Sequence, residues 1–304
     1  MLPLLITGLL LTGCTQDKQE TLTVAYQFGT AYAPVELLRV EGKLEETLGI
    51  PVKWVQLQNT ATIRESMLAG ETDIGFMAIP PFLIGYDGGT DWKIITGLSS
   101  MPSGLVTRED ITDLSEIDEN ARIALPQPGS VQHILLAMAA EKRFNDAGRF
   151  DNRLVALSHP DGMNLLLSGG DINYHFTTAP YLQAELDTGM TLLLSGREAF
   201  GGEFTGIVGV AQSEFLKGRA DVCAAFLKEL EAASLVISQD PAYAAKVLAP
   251  VYAIEEARLF EELTADGAAF VTSVSGVEEF AGFMFRTGYI KTLPESGDMI
   301  FERP

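Results

Sequence analysis

Short β-rich runs alternate with helical patterns along the chain, and this alternation implies an α/β architecture with mainly parallel sheets. Leu22–Tyr26 reads as a strand, followed by a loop to Pro34 and a helix running to about Leu48, where Gly49 ends it. Residues 52–57 form the next strand. Asn59 or Thr60 then caps a helix whose Ile63, Met67 and Leu68 face inward, and Gly70 stops it. Residues 74–79 make a third strand, and the pattern repeats at 122–125, 154–158 and 172–177.

A weak internal likeness points to two lobes. Leu68-Ala69-Gly70-Glu71-Thr72-Asp73-Ile74, then Pro81-Phe82-Leu83, parallels Leu167-Ser168-Gly169-Gly170-Asp171-Ile172, then Pro180-Tyr181-Leu182, with one residue of slack. Both units read as helix, tight Gly turn, strand, Pro-containing turn and helix. Convergent α/β grammar explains the same likeness, so the sequence leaves both origins open. Two similar lobes would face each other across a cleft, and ligands of open α/β sheets bind beyond the carboxyl ends of the strands.

Composition narrows the partners. At 304 residues the chain is roughly two domains long, enough to bury a large core without metal or disulfide staples. With 21 Lys+Arg against 41 Asp+Glu, its formal charge of −20 repels nucleic acid and anionic membrane surfaces. A small ligand meets local dipoles instead, so the charge sum leaves site chemistry open. Cys223 lies in a helical pattern with Val222, Phe226, Leu230, Ala233 and Ile237 and reads as a small core residue.

Residues 1–16 carry no charge and residues 2–11 are almost wholly apolar. That run is too short for a membrane span, which takes roughly twenty residues, and reads as a signal h-region. Its ending, Leu11-Thr12-Gly13-Cys14, resembles the bacterial lipobox, which implies a lipoprotein signal peptide over 1–14 with lipidation at Cys14. Residues 15–20 form a polar tether. No Lys or Arg follows Met1, so the basic n-region is missing and the true start is expected upstream. A buried N-terminal strand or a frayed tail is the competing reading. The longest later uncharged stretch, 123–140, contains Pro126, Pro128 and Gly129 and reads as strand, turn and helix, so the mature protein is expected to be soluble and tethered.

The block 60–76, Thr-Ala-Thr-Ile-Arg-Glu-Ser-Met-Leu-Ala-Gly-Glu-Thr-Asp-Ile-Gly-Phe, followed by Ile79-Pro80-Pro81, resembles the helix, strand and turn block of the nitrate/sulfonate/taurine family of ABC-transporter substrate-binding proteins. Ala124-Leu125-Pro126-Gln127-Pro128-Gly129-Ser130 resembles that family's second-lobe opening turn. The resemblance runs from about residue 21 to 211 and implies a two-lobed type II periplasmic-binding-protein fold. Such a fold has two mixed, mainly parallel sheets flanked by helices, with a ligand cleft between the lobes. Its two chain crossings are placed near 108–110 and 206–211, so one lobe takes 21–108 plus 211–304 and the other 109–210.

Strand ends then nominate the ligand-binding residues. In the first lobe these are Gln27 and Phe28, then Gln58, Asn59 and Thr60, then Ala78, Ile79 and Pro80. The middle group opens a helix, whose free N–H groups and positive dipole end suit an oxyanion, although a plain N-cap explains Asn59 or Thr60 equally. In the second lobe, Gln127, Gly129 and Ser130 open a helix. Gly129 would let backbone approach a ligand, and Ser130 would cap or donate a hydroxyl. His159, then Thr177, Thr178 and Tyr181, follow the next strands in sequences that suit turns as well as cleft walls. His133 reads as a surface helix residue and His175 as a core one; with Asp161 they lack metal-ligand spacing, so no metal is expected.

No Gly-x-Ser-x-Gly elbow, Walker loop or Cys-His arrangement is present, and neither a catalytic role nor a cofactor is expected. The resemblance implies the extracytoplasmic solute-binding component of an ABC importer, on the outer side of the bacterial cell membrane. It would be held there through lipid only, closing on a solute and delivering it to permease and ATPase subunits. The implied solute is a sulfonate- or taurine-like oxyanion, nitrate, or a small heterocycle such as a thiamine pyrimidine precursor. The cleft loops contain no Lys or Arg, so an anion would rely on N–H groups and neutral donors. Phe28, Tyr32, Phe82, Tyr181 and Phe204 are the rings available to stack on a heterocycle or to fill the core. An enzyme of the same fold acting on a small biosynthetic metabolite, or a sensory solute-binding protein, are the alternatives.

Overall fold

A computed structural model of the chain describes residues 21–302. The expected signal peptide, Cys14 and the 15–20 tether lie outside the described residues. The first lobe opens with β1 (Leu22–Tyr26), α1 (Ala33–Glu41), α2 (Lys43–Leu48), β2 (Val52–Gln56), α3 (Thr60–Leu68), β3 (Ile74–Met77), α4 (Ile79–Asp87) and β4 (Trp92–Ser99). The second contains β5 (Ser103–Thr107), β6 (Ile123–Leu125), α5 (Val131–Phe144), β7 (Leu154–Ala156), α6 (His159–Leu167), β8 (Tyr174–Thr178), α7 (Tyr181–Asp187), β9 (Thr191–Ser195) and α8 (Gly196–Phe200). The chain then returns through β10 (Ile207–Gln212), α9 (Ser213–Gly218), α10 (Ala220–Gln239), α11 (Pro241–Tyr252), α12 (Glu256–Leu263), α13 (Val277–Arg286) and α14 (Ser296–Met299).

Each lobe has a five-stranded sheet, in the orders β2-β1-β3-β10-β4 and β7-β6-β8-β5-β9. In the first, β1 pairs parallel with β2 and β3, Val24 lying beside Trp54 and Ile74, while β10 runs antiparallel between β3 and β4. In the second, β6 pairs parallel with β7 and β8, and β5 runs antiparallel between β8 and β9. This is the expected two-lobed architecture of mixed, mainly parallel sheets. The internal likeness maps onto equivalent places, since β3 and β8 are each third in their sheet. Gly70 and Gly169, the turns before them, share the left-handed backbone at φ 70° and 72°, which a side chain would strain.

The crossings fall earlier than expected at both places. Strand β5, assigned to the first lobe, belongs to the second sheet, and β10, assigned mostly to the second, belongs to the first. The chain therefore crosses at 100–102 and 201–206, and the boundaries at 108 and 210 are displaced. Arg108-Glu109-Asp110 looks like a polar linker but only ends β5, whereas Ser99-Ser100-Met101-Pro102 passes between lobes with no shift in composition. The long first helix is also divided, because Gly42 takes φ 66° between α1 and α2. On α3, Ile63 and Met67 are fully buried as expected, but Leu68 is 62% exposed, one helical position further round.

The C-terminal helices complete the first lobe. Cys223, Phe226, Leu230, Ala233 and Ile237 of α10 enter the core beside α1 and α2. Phe280 and Met284 of α13 join a core shared with α4 and α5, so this segment touches both lobes. Arg286 on α13 donates to Glu141 on α5 at 2.7 Å across the same junction. Among the described residues no helix is long and apolar enough to cross a membrane.

Strand β4 is pressed against the C-terminal segment. The Gly97 N–H donates to the Thr272 carbonyl at 2.9 Å, and a Cβ at Gly97 would stand 2.2 Å from the Ser273 carbonyl oxygen. Backbone cannot yield there as a side chain would. Gly97→Ala is expected to lower the melting temperature by about 4–8 °C through overpacking; an unchanged melt would mean that residue 273 does not press on β4.

Candidate ligand-binding site

Where the strand ends of the two lobes face each other they enclose a cavity of about 80 Å³. Three helices open on it through their first residues, Thr60 of α3, Val131 of α5 and His159 of α6. On the first lobe, Gln27 leaves β1 and donates through Nε2 to Thr60 Oγ1 at 3.0 Å. Thr60 is not the cap: Asn59 Oδ1 accepts from the Thr62 N–H at 3.1 Å, which leaves the Thr60 hydroxyl for the cavity wall. On the second lobe, Ser130 caps α5 by accepting from the His133 N–H at 3.3 Å, and Gln132 follows within the first turn. Ser158 caps α6, which sets His159 at the cavity.

His159 is held on three sides. Its Nδ1 lies 3.0 Å from Thr177 Oγ1, its Nε2 lies 3.5 Å from Gln132 Nε2, and the Tyr181 ring stacks on it at 5.8 Å and 17°. Burial, then the neighbouring His175, push its pKa down from 6.5 to about 3, so the imidazole is neutral at physiological pH. The cavity lining contains no Lys, Arg, Asp or Glu.

Of the fifteen residues expected from the strand ends, seven line this cavity: Gln27, Phe28, Thr60, Ala78, Ser130, His159 and Thr178. Others are displaced for physical reasons. Gln58 is exposed, and Asn59 spends its side chain on the α3 cap. Ile79 and Pro80 turn into the core as α4 begins, and Pro81 takes the wall position. Gln127 uses its carbonyl to accept from the Ser130 N–H. The Gly129 N–H is taken by His133 Nδ1 at 2.9 Å, and a Cβ at Gly129 would stand 2.7 Å from Ile84 Cδ1, so this glycine serves lobe-to-lobe contact and not ligand approach. Thr177 is fully buried beneath His159, and Tyr181 stands behind it.

Sequence reasoning missed Gln132, which its place two residues after the Ser130 cap, in the first turn of α5, could have revealed. It also missed Ser99, Met101, Ser103 and Gly206, which come from the misplaced crossings. Among the rings, Tyr32 and Phe204 line the cavity, whereas Phe82 is core. His133, expected on the surface, is 5% exposed. Its Nδ1 accepts from Gly129, so Nε2 carries the proton and donates to Asp151 Oδ1 at 3.0 Å. Among the described residues no three His, Cys, Asp or Glu converge as metal ligands.

Behind the site, His175 Nδ1 and Glu185 Oε1 lie 2.5 Å apart, both fully buried. His175 Nε2 and Glu185 Oε2 have no partner, so an ion pair here would leave charged atoms uncompensated. Burial instead raises the carboxyl from 4.5 to about 8 and lowers the imidazole from 6.5 to about 3, giving a neutral hydrogen-bonded pair. A carboxyl raised in the folded state stabilises it fully below pH 4.5, and that contribution is lost as pH climbs from 4.5 through 8. The lowered histidines work oppositely, their contribution being present above pH 6.5 and lost as pH falls toward 3. Glu185→Gln is therefore expected to melt with wild type near pH 5 and above it at pH 8. Thermal melts across this range check the pair, and a loss of stability that is largest near pH 5 and shrinks toward pH 8 would identify an ion pair instead.

The architecture has close structural relatives. The alkanesulfonate-binding protein SsuA from Xanthomonas axonopodis pv. citri, bound to MOPS, superposes with a TM-score of 0.74 at 20% identity, over 91% of this chain and 95% of that one. The periplasmic aliphatic sulphonate-binding protein SsuA from Escherichia coli gives 0.72 at 17% identity, over 94% and 93%. The periplasmic nitrate-binding protein NrtA from Synechocystis PCC 6803 gives 0.69 at 12% identity, over 89% and 82%. At these identities the likeness shows the periplasmic-binding-protein fold. No curated protein matches the chain in sequence. Residues 15–251 match the model of the NMT1-like family, and the chain belongs to that family.

Proposed function

We propose that the chain is the extracytoplasmic solute-binding component of an ABC importer, which closes on a small organic solute and passes it unchanged to the permease. The observation that carries this reading is the cavity between the lobes, onto which the N-termini of α3, α5 and α6 open. Each terminus offers a positive dipole end, worth about 0.3–1 kcal/mol to an anionic group at the surface and more when partly buried, and α3 and α5 add first-turn N–H groups that their Asn59 and Ser130 caps do not take. Hydroxyls and amides of Thr60, Ser130, Gln132 and Gln27 supply the remaining donors. This favours an oxyanion head such as a sulfonate, held without a cationic side chain. Two of the structural relatives bind sulfonates by name.

Catalysis has little to work with. The only titratable side chain in the lining besides Tyr32 is His159; no carboxylate lines the cavity, and the hydroxyl beside the His159 ring, Thr177, is fully buried behind it and absent from the lining. The crossings at 100–102 and 201–206 are the hinge about which closure would occur. Export and lipidation at Cys14 belong to the same proposal, and the family match begins at residue 15, directly after it.

A thermal-shift screen against methanesulfonate, taurine, nitrate and pyrimidines tests this. A solute at 100 times its Kd is expected to add about 2.7 kcal/mol of stability. Thr60→Val combined with Ser130→Ala is expected to remove that gain, and affinity is expected to stay flat from pH 5 to 8 because His159 is neutral throughout. Mass spectrometry should recover the solute intact, and a chemically altered product would sink the transport reading.

A further inference from the structure

Beyond the inner cavity the gap between lobes widens into a chamber of about 880 Å³, more than ten times larger. The two spaces adjoin at Phe28, which lines both, and Tyr181, stacked on His159 of the inner wall, lines the outer one. Their sizes suit different things. About 80 Å³ holds a head group of a few non-hydrogen atoms, whereas pockets of about 300–1,000 Å³ hold whole organic ligands.

The chamber walls are aromatic and electrically balanced. Tyr26 and Trp54 come from the first sheet, Met163 and Tyr181 from the second lobe, and Tyr252 from the end of α11. The charged wall residues are already paired: Arg39 Nε donates to Glu36 Oε2 at 2.7 Å, and Arg258 Nη2 meets Asp187 Oδ2 at 3.0 Å. With two acids against two bases, the walls carry no net charge that would favour an ionic guest. One polar atom is left over. The Tyr252 hydroxyl is buried without a hydrogen-bond partner, and burial keeps it protonated, so it is a donor lacking an acceptor.

We propose that the chamber is a second compartment of the solute site, which holds an uncharged aromatic or heteroaromatic ring whose hydrogen-bond acceptor reaches Tyr252. This rests on the inner-cavity reading above, since the ring is the body of the solute whose small polar head lies against Thr60, Ser130 and His159. Rings suit these walls because flat faces stack at low entropic cost while their edges hydrogen-bond. The Asp187–Arg258 pair in the chamber wall joins α7 to α12 across the lobes.

Isothermal titration with three probes tests this: methanesulfonate as head alone, 2-naphthol as ring alone, and 6-hydroxynaphthalene-2-sulfonate as both. The combined probe is expected to bind at least about 30-fold more tightly than methanesulfonate, as ring burial would give. Ala184→Trp, which fills the chamber, should cancel that difference and leave methanesulfonate unchanged. Tyr252→Phe, which keeps the ring and removes the donor, should weaken the combined probe about 5-fold or more. Equal affinities for the two sulfonates, with neither variant altering them, would overturn the chamber while leaving the inner cavity intact. Binding of 2-naphthol that Ala184→Trp removes, without binding of methanesulfonate, would keep the chamber and overturn the sulfonate head. Absence of binding by all three up to about 10 mM would overturn both.

Discussion

Strand exchange between the lobes is the constraint on which the rest depends. β10 completes the first sheet after the chain has visited the second lobe, and β5 completes the second directly after leaving the first. Each exchanged strand is hydrogen-bonded on both sides, β10 to β3 and β4, β5 to β8 and β9. The crossings are therefore anchored at both ends, and the parallel strands of both sheets direct their carboxyl ends at the gap between. Helix N-termini follow those ends by the same rule, which is why three of them meet at one cavity.

That geometry answers an electrostatic difficulty. A chain of formal charge −20 repels anions at long range, yet the cavity offers them no cationic side chain. Screening confines the surface field to about 8–10 Å at physiological salt, while helix N-termini act over their first turn, where a bound head would lie. The second lobe keeps its own buried groups uncharged as well. His159 and His175 stay neutral, and Glu185 keeps its proton, so no internal charge competes with the dipoles or ties the wall to a narrow pH.

Local rules made part of the site legible. Thr60, Ser130 and His159 follow strands and open helices, and a strand followed by a capping residue can be read from a few neighbouring residues. Side-chain direction could not be read that way. Ile79 and Pro80 stand where a wall residue was expected but turn into the core with α4, and Gly129 is claimed by His133 and Ile84. The crossings escaped notice because Ser99 to Ser103 changes neither polarity nor charge as it passes between lobes.

The amino-acid sequence alone determined the alternation of strand and helix, the doubled lobe, and the polar residues at the helix openings, because each depends on periodicity or capping within one element. Only the tertiary structure decided which strands change sheets, which opening residues face the cavity, and that His175 and Glu185 meet as a neutral pair. It also brought Tyr26, Trp54, Tyr181 and Tyr252, from four separate elements, around one chamber. These outcomes depend on contacts between residues far apart in the chain, whose geometry is set by how the lobes and the C-terminal helices pack together and not by any local pattern.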